Sequence, residues 1–318
     1  MAAAIALSRR TSGRTAPNPN VGCILLDAAG RVVGRGWTQP SGRPHAEAMA
    51  LEAAGAVARG GTAYVSLEPC AHDSIRGPCC SDLLIQSGVA RVVIATVDPD
   101  SRTNGAGIAR LRENGIAVEV GTMEAEARAA MAGFLSRQRD RRPRVTLKLA
   151  TSLDGCIALE DGTSQWITDA AARAHGHLQR ARHELILVGR GTLAQDKPRL
   201  DVRLPGLEER SPRRVVLSRS GAAPEDWLVI ETPSEIAGLP GDHLLIEGGA
   251  QTAAAFLAED LVDSLLLYRA PILLGGGRPA LADIGLVDLA EAHGRWRLID
   301  ARSFAPDRLE VYERVRAQ

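Results

Sequence analysis

Alternation is the feature that most restricts how this chain can fold. Short apolar runs with strand character are separated repeatedly by alanine- and leucine-rich stretches of helical character. Near the start, segments 21–26 and 31–37 flank the turn residues 27–30, the pattern of a hairpin. Pro44 then opens HAEAMALEAAGAV, a helical composition with proline in the first turn, where its missing N–H costs nothing. TAYVSL (62–67), RVVIATV (91–97) and IAVEV (116–120) read as strands, 78–86 and 108–113 as helices, and 123–139 as one long helix. Further strands are predicted at 145–150, 185–188, 214–217, 243–246 and 265–268, with two more around the turn residues 305–307. Strands that alternate with helices in this way build sheets covered by helices, an α/β fold.

At 318 residues the chain is long for one domain and comfortable for two. The composition breaks at QRDRRPR, so the boundary is expected near Arg142, giving domains 1–142 and 143–318. Arg137, Arg139, Arg141, Arg142 and Arg144 cluster there without stacking aromatics, which suits a solvated connector better than a nucleic-acid patch. Basic and acidic residues balance at 38 each, so no net field draws the protein to nucleic acid or to a membrane, and small-molecule substrates are favoured. The apolar opening 1–7 is far shorter than a bilayer span and lacks a basic n-region and a cleavage site, which makes a cytoplasmic protein the expectation.

Three of the five cysteines, Cys70, Cys79 and Cys80, fall within eleven residues. In a reducing compartment this reads as metal binding rather than as a disulfide framework. Zinc held by three protein ligands keeps a fourth position open to water and lowers its pKa, which is what hydrolysis of an aromatic amine near neutral pH requires. His45, Cys70 and Cys79 are the candidate ligands, with Cys80 competing for the third place. His45 and Cys79 each fall at a predicted helix start, where the helix dipole favours thiolate and developing negative charge. Glu47, two residues after His45, is placed to shuttle protons without ligating. The order His-x-Glu then Pro-Cys is the zinc-deaminase signature, although eight residues separate Cys70 from Cys79 where that signature has two. Cys23 and Cys156 sit in strand-like segments as packing residues.

In the second half, Gly189 to Ala194 superficially fits a dinucleotide fingerprint. The following Gln195-Asp196-Lys197-Pro198 breaks the helix that a Rossmann turn must open, so a cofactor-lining loop on another α/β fold is expected. Glu247-Gly248-Gly249 closes a strand ahead of the helical run AQTAAAFLAE, where glycines let the backbone approach a pyrophosphate. Ser218-Arg219-Ser220 offers hydroxyls and a guanidinium suited to a 2′-phosphate.

The set PNPNVG (17–22), PHAE (44–47), LEPC (67–70), GPCC (77–80) and DP (98–99) resembles the bifunctional deaminase-reductase family of riboflavin biosynthesis. The resemblance continues through LKLATSLDG (147–155), SQWIT (164–168), 192–203, IEGG (246–249) and LVDSLLLYRAPILLG (261–275), and so covers nearly the whole chain. The loop AHDSIRGP and Asp100 depart from the family's usual residues. The resemblance implies a cytidine-deaminase-like three-layer domain followed by a dihydrofolate-reductase-like α/β domain, with Zn2+ and NADPH as cofactors. It implies deamination of 2,5-diamino-6-ribosylamino-4(3H)-pyrimidinone 5′-phosphate, then NADPH-dependent reduction of the ribosyl group to ribityl. Carried over by position, Asn20, His72 and Asp98 contact the first substrate, and Lys148, Ser164, Arg180, Leu200, Arg203 and Glu247 the second. Ala150, Trp166, Thr192, Asp196, Gly249, Ala250, Gln251, Thr252, Ala253, Ala254 and Ala255 line the NADPH site, beside Ser218 and Arg219. A homo-oligomer is the expected assembly.

Overall fold

The computed structural model describes residues 1–72, 77–221 and 223–316. The chain forms two units, 1–141 and 142–318, each with its own sheet and apolar core.

The first unit runs α1 (Ala2–Ser8), β1 (Gly22–Leu26), β2 (Val32–Trp37), α2 (Ala46–Ala54), β3 (Thr62–Val65), α3 (Cys80–Ser87), β4 (Arg91–Ile94), α4 (Ala106–Glu113), β5 (Ala117–Val120), α5 (Glu124–Ala130) and α6 (Ala132–Asp140). Its five-stranded sheet has the order β2-β1-β3-β4-β5; β1 pairs antiparallel with β2 and β3, and β3, β4 and β5 are parallel. Helix α2 starts where His45, in extended conformation, breaks from the helical backbone, and it stops at Gly55, whose φ of 55° ends the spiral. Its buried face, Ala46, Glu47, Ala50 and Ala54, lies directly on β2. Two glycines permit this approach: a Cβ on Gly36 would stand 2.0 Å from the Ala46 carbonyl oxygen, and one on Gly34 would stand 2.2 Å from that of Ala50. The core beneath is Cys23, Leu25, Val65, Leu84, Val92, Ile94 and Leu111.

The stretch 123–139 is not one helix. It divides at Met131, whose backbone leaves helical geometry (φ −109°, ψ 19°) as its side chain becomes fully buried. Met131 still donates to the Ala127 and Arg128 carbonyls and accepts the Leu135 N–H, so the break costs little against the burial of a long apolar side chain.

The second unit runs β6 (Arg144–Thr151), β7 (Cys156–Ala158), α7 (Ala170–Arg180), β8 (Leu185–Gly189), α8 (Arg190–Asp196), β9 (Arg213–Leu217), β10 (Leu228–Ile230), β11 (His243–Ile246), α9 (Ala250–Ala258), β12 (Ser264–Arg269), β13 (Arg278–Pro279), β14 (Trp296–Phe304) and β15 (Asp307–Arg314). Its eight-stranded sheet has the order β10-β9-β8-β11-β6-β12-β15-β14, parallel through β12 and antiparallel across β15 and β14. The central strands β8 and β11 are buried along nearly their whole length, as parallel strands covered on both faces must be. The expectation of an unbroken loop after Gly189 is corrected here. Residues 190–196 make two helical turns because Pro198 lies beyond the last helical residue, so the helix loses no hydrogen bond, and Lys197 ends it in the left-handed region (φ 42°).

Candidate active sites

In the first unit three chain segments converge. His45 caps α2, Cys70 lies in the loop after β3, and Cys80 is the first helical residue of α3. His45 Nδ1 is 3.3 Å from Cys80 Sγ and 3.7 Å from Cys70 Sγ, and all three donor atoms lie within 4.8 Å of one another. Tetrahedral bonds of about 2.0–2.3 Å from a shared zinc ion place donors about 3.3–3.8 Å apart, so this set fits the metal. The Cys80 backbone N–H donates to Cys70 Sγ at 3.3 Å. Hydrogen bonds from Cys80, then from His45, hold the Cys70 thiol well below its ordinary value; Cys80, as the donor and buried, is pushed up. Both sulfurs would hold a metal as thiolates, so loading the site would release protons.

Cys79, expected to be the third ligand, is outside this cluster. It occupies the cap position of α3 in extended conformation, and its Sγ donates to the Cys70 carbonyl at 2.8 Å and lies 3.0 Å from Ser81 Oγ. Successive side chains across an extended-to-helical junction point apart, so only one of the two cysteines can face His45.

Glu47, in the first turn of α2, is buried and in hydrogen-bond contact with the Cys80 thiol. Burial raises its carboxyl to about 7 against the pull of His45, which leaves it able to take and give a proton near neutrality. The amide of Asn18 meets His45 Nε2 at 3.1 Å and holds the ring with Nδ1 toward the sulfurs. Sequence reasoning took Asn20 from the same motif; its amide instead donates to the carbonyls of Ser8 and Ala130 and ties α1 to α5. Asp98 is buried, and burial together with neighbouring Asp100 raises it to about 6. His72 Nδ1 lies 3.3 Å from Thr103 Oγ1, and Asp100 is paired with Arg102. Glu68, a neighbour of Cys70 that sequence reasoning passed over, accepts the backbone N–H groups of Asp98, Gly105 and Ile108 and so fixes this wall. Residues 73–76 of the departing loop lie outside the described residues.

In the second unit Arg180 on α7 forms a two-pronged ion pair with Glu247, at 2.8 and 2.9 Å, and Lys148 on β6 stands 3.9 Å from the same carboxylate. Burial opposes ionisation of Glu247, but Lys148 and Arg180 overcome it and hold the carboxyl at about 2. Arg180 also donates to the Asp201 carbonyl, next to the buried Leu200, which is held at a φ of 55°. Arg203 is exposed, with its backbone N–H on His177 Nδ1. Ser164 is half-buried and Trp166 exposed, with the guanidinium of Arg173 over the indole at 4.8 Å.

Strands β8 and β11 are parallel neighbours, and each is followed by a helix with a glycine at its cap: Gly189, the last residue of β8, for α8, and Gly249, three residues beyond β11, for α9. Thr252 fills the space between: a Cβ on Gly189 would stand 2.1 Å from its Oγ1, and one on Gly248 would stand 2.8 Å from its Cβ. Thr192 borders Gly249, whose Cβ would lie 3.4 Å from its Oγ1. This close cradle with the start of α9 open suits a pyrophosphate. Gly249, Ala250 and Gln251 stand at that opening. Ala253 and Ala254, expected to line it, are buried toward the core because the helix has turned them inward by that point, and Ala255 is half-buried. Ala150 is half-buried on β6, and Asp196 is exposed at the end of α8.

The folds and donor sets define a zinc deaminase joined to a nucleotide-dependent reductase. Residues 1–96 match the cytidine and deoxycytidylate deaminase zinc-binding region, and 143–309 match the RibD C-terminal domain. The riboflavin biosynthesis protein RibD of Mycobacterium tuberculosis is 39% identical, covering 97% of this chain and 95% of the relative, and that of Escherichia coli is 36% identical, covering 96% of each. Among solved structures, RibD of Acinetobacter baumannii superposes with a TM-score of 0.85 at 34% identity, covering 98% of this chain and 97% of that one. A diaminohydroxyphosphoribosylaminopyrimidine deaminase/5-amino-6-(5-phosphoribosylamino)uracil reductase from Thermotoga maritima reaches 0.87 at 32% identity with the same coverage. The chain belongs to the RibD family: it is a bifunctional riboflavin-biosynthesis enzyme with a cytidine-deaminase-like domain, a dihydrofolate-reductase-like domain, and zinc and NADPH as cofactors. No helix among the described residues is long and apolar enough to cross a membrane.

Proposed function

We propose that the first unit deaminates 2,5-diamino-6-ribosylamino-4(3H)-pyrimidinone 5′-phosphate, and that the second reduces the resulting 5-amino-6-(5-phosphoribosylamino)uracil to its ribitylamino form. The observation that carries this reading is the buried Glu47 in contact with the His45, Cys70 and Cys80 cluster. Those three residues hold zinc, which supplies the Lewis acidity that makes water nucleophilic at neutral pH. Glu47, poised near 7, accepts a proton from water and delivers it to the ring nitrogen and then to the leaving ammonia. Asn18 keeps the imidazole oriented through this cycle. His72 and Asp98 border the ring's exocyclic groups.

In the second unit, Arg180 and Arg203 meet the substrate phosphate, and Lys148 with Glu247 meets the sugar where hydride arrives. The Gly248–Gly249 turn and Thr192 hold the NADPH pyrophosphate, with Trp166 and Ser218 farther along the cofactor. Five free cysteines suit a reducing cytoplasm, and a homo-oligomer is the assembly we favour. Incubating the diaminopyrimidine ribosyl phosphate with and without NADPH, with products identified by mass, tests the reading. Ammonia release without NADPH and a two-hydrogen gain only with it are expected; a mass gain without prior deamination would overturn the order.

A further inference from the structure

Helix α7 packs on one face of the second sheet, and a polar chain runs through that packing. Register sets Leu266 of β12 opposite Lys148 of β6, and Tyr268 opposite Ala150, so Lys148 and Tyr268 are diagonal neighbours on the same side of the sheet. Ala172 of α7, Leu266 and Leu309 pack around Tyr268, which is 1% exposed. Burying a phenol hydroxyl among them is costly unless it has a partner. His175, three residues beyond Ala172 on the same helix, supplies one: its Nδ1 lies 2.7 Å from Tyr268 Oη. The imidazole is held in turn, with Gln179 Nε2 at 3.2 Å from its Nε2 and the Phe304 ring at 4.8 Å. Burial and then Arg302 bring His175 down to about 4, while burial and then Glu247 push the phenol up, so two neutral groups share this bond.

At the other end of the chain, the Lys148 ammonium lies 5.9 Å from the centre of the Tyr268 ring and 3.9 Å from Glu247. The second distance is too long for a hydrogen bond, and both oxygens of Glu247 already accept from Arg180. A lysine ammonium is a strongly hydrated charge on a flexible stem, so this loose contact does not fix its position. An aromatic ring attracts a cation at this range and occupies none of its N–H donors.

We infer that Tyr268 is a positioning residue for the reduction: its ring seats the Lys148 ammonium with the N–H donors free for the sugar, and His175 locks the ring. This rests on the reading above that Lys148 meets the sugar, and deepens it. Helix α7 then orders both charges of the site, Glu247 through Arg180 and Lys148 through His175 and Tyr268.

The test is steady-state reduction of deaminated substrate by the full chain and its Tyr268→Phe, Tyr268→Leu, His175→Leu and Lys148→Met forms, with thermal melts and NADPH titration to verify folding. Tyr268→Leu and His175→Leu are each also combined with Lys148→Met. Lys148→Met should lower kcat about a hundredfold. Tyr268→Leu should lower kcat about tenfold and leave NADPH affinity within about twofold, while Tyr268→Phe, which keeps the ring and loses only the lock, should lose about two- to threefold. His175→Leu should match Tyr268→Phe. Each double variant should be no slower than Lys148→Met alone, because Tyr268 and His175 act only through the ammonium, whereas a merely structural role would multiply the losses. Multiplied losses, or an unchanged kcat in Tyr268→Leu, would overturn the assignment; if Tyr268→Leu does not fold, the His175→Leu pair decides by the same rule. An unchanged kcat in Lys148→Met would instead overturn the reading of Lys148, and this assignment with it.

Discussion

Cys79 and Cys80 are adjacent and chemically identical, yet their environments differ. One donates back to the Cys70 carbonyl, and the other completes the set with His45 and Cys70. Cys80→Ser should therefore lose most of the roughly one zinc bound per chain, while Cys79→Ser keeps it; metal analysis of the purified variants with the opposite ranking would reverse the assignment. Glu47 touches the cluster without belonging to it, so Glu47→Gln should retain zinc and lose deamination by about 10²–10⁴. Reduction of already deaminated substrate should be nearly unchanged, and a parallel loss of both activities would count against Glu47 as proton carrier. The motif PNPNVG pointed to this wall of the site, but not to which asparagine faces the histidine. That depends on how the loop is threaded between α1 and β1.

At the scale of elements, α2 carries both His45 and Glu47, and its distance from β2 is set by two glycines. Gly36→Ala puts a methyl group against the Ala46 carbonyl, one residue from His45. The helix must move out, at a cost of about 1–3 kcal/mol, and the donors separate. The expected result is a lower denaturation midpoint together with weaker zinc retention; a drop in stability with full metal content would show that the helix start does not follow its body. Another element junction predicts a pH effect. Glu184, just before β8, accepts the His243 N–H, and burial, reinforced by Asp242, raises its carboxyl to about 7. A carboxyl whose pKa is higher folded than unfolded favours the folded state below about 4.5, and that advantage is lost as pH rises through 7. Relative to Glu184→Gln, the unmodified chain should lose up to about 3 kcal/mol between pH 5 and pH 8, read from urea midpoints. A constant difference across that range would mean that the carboxyl is solvated.

For the whole molecule, a separate main sheet and main core in each unit imply chemistries that can be switched off separately. Removing zinc with a chelator should stop ammonia release while the NADPH-dependent reduction of deaminated substrate persists, followed by cofactor absorbance. Loss of reduction on chelation would mean that the second unit depends on the metal of the first. Only 28 residues lie between Ser218 and Glu247. They hold β10 and a 3₁₀ turn (Pro233–Gly238) before β11, enough to complete the edge of the sheet beyond β9.

Much of the architecture was legible without coordinates because it rests on local physics. Apolar runs of strand length, alanine-rich intervals, glycines at helix ends and an arginine-rich break are patterns within a few residues, and they are why an α/β fold could be expected. The chemical character of the first site was legible for the same reason: histidine, glutamate and cysteines at short range allow few other uses. What the tertiary structure decided is direction. Whether Cys79 or Cys80 faces His45 turns on where the first turn of α3 begins. The break at Met131 turns on a core that only the folded sheet provides. That Arg190 rather than Arg219 meets Ser220 turns on β8 and β9 being neighbours in register, though more than twenty residues separate them in the chain. A side chain's orientation is set by the backbone rung on which it sits and by the strand beside it, and neither is a property of its own segment.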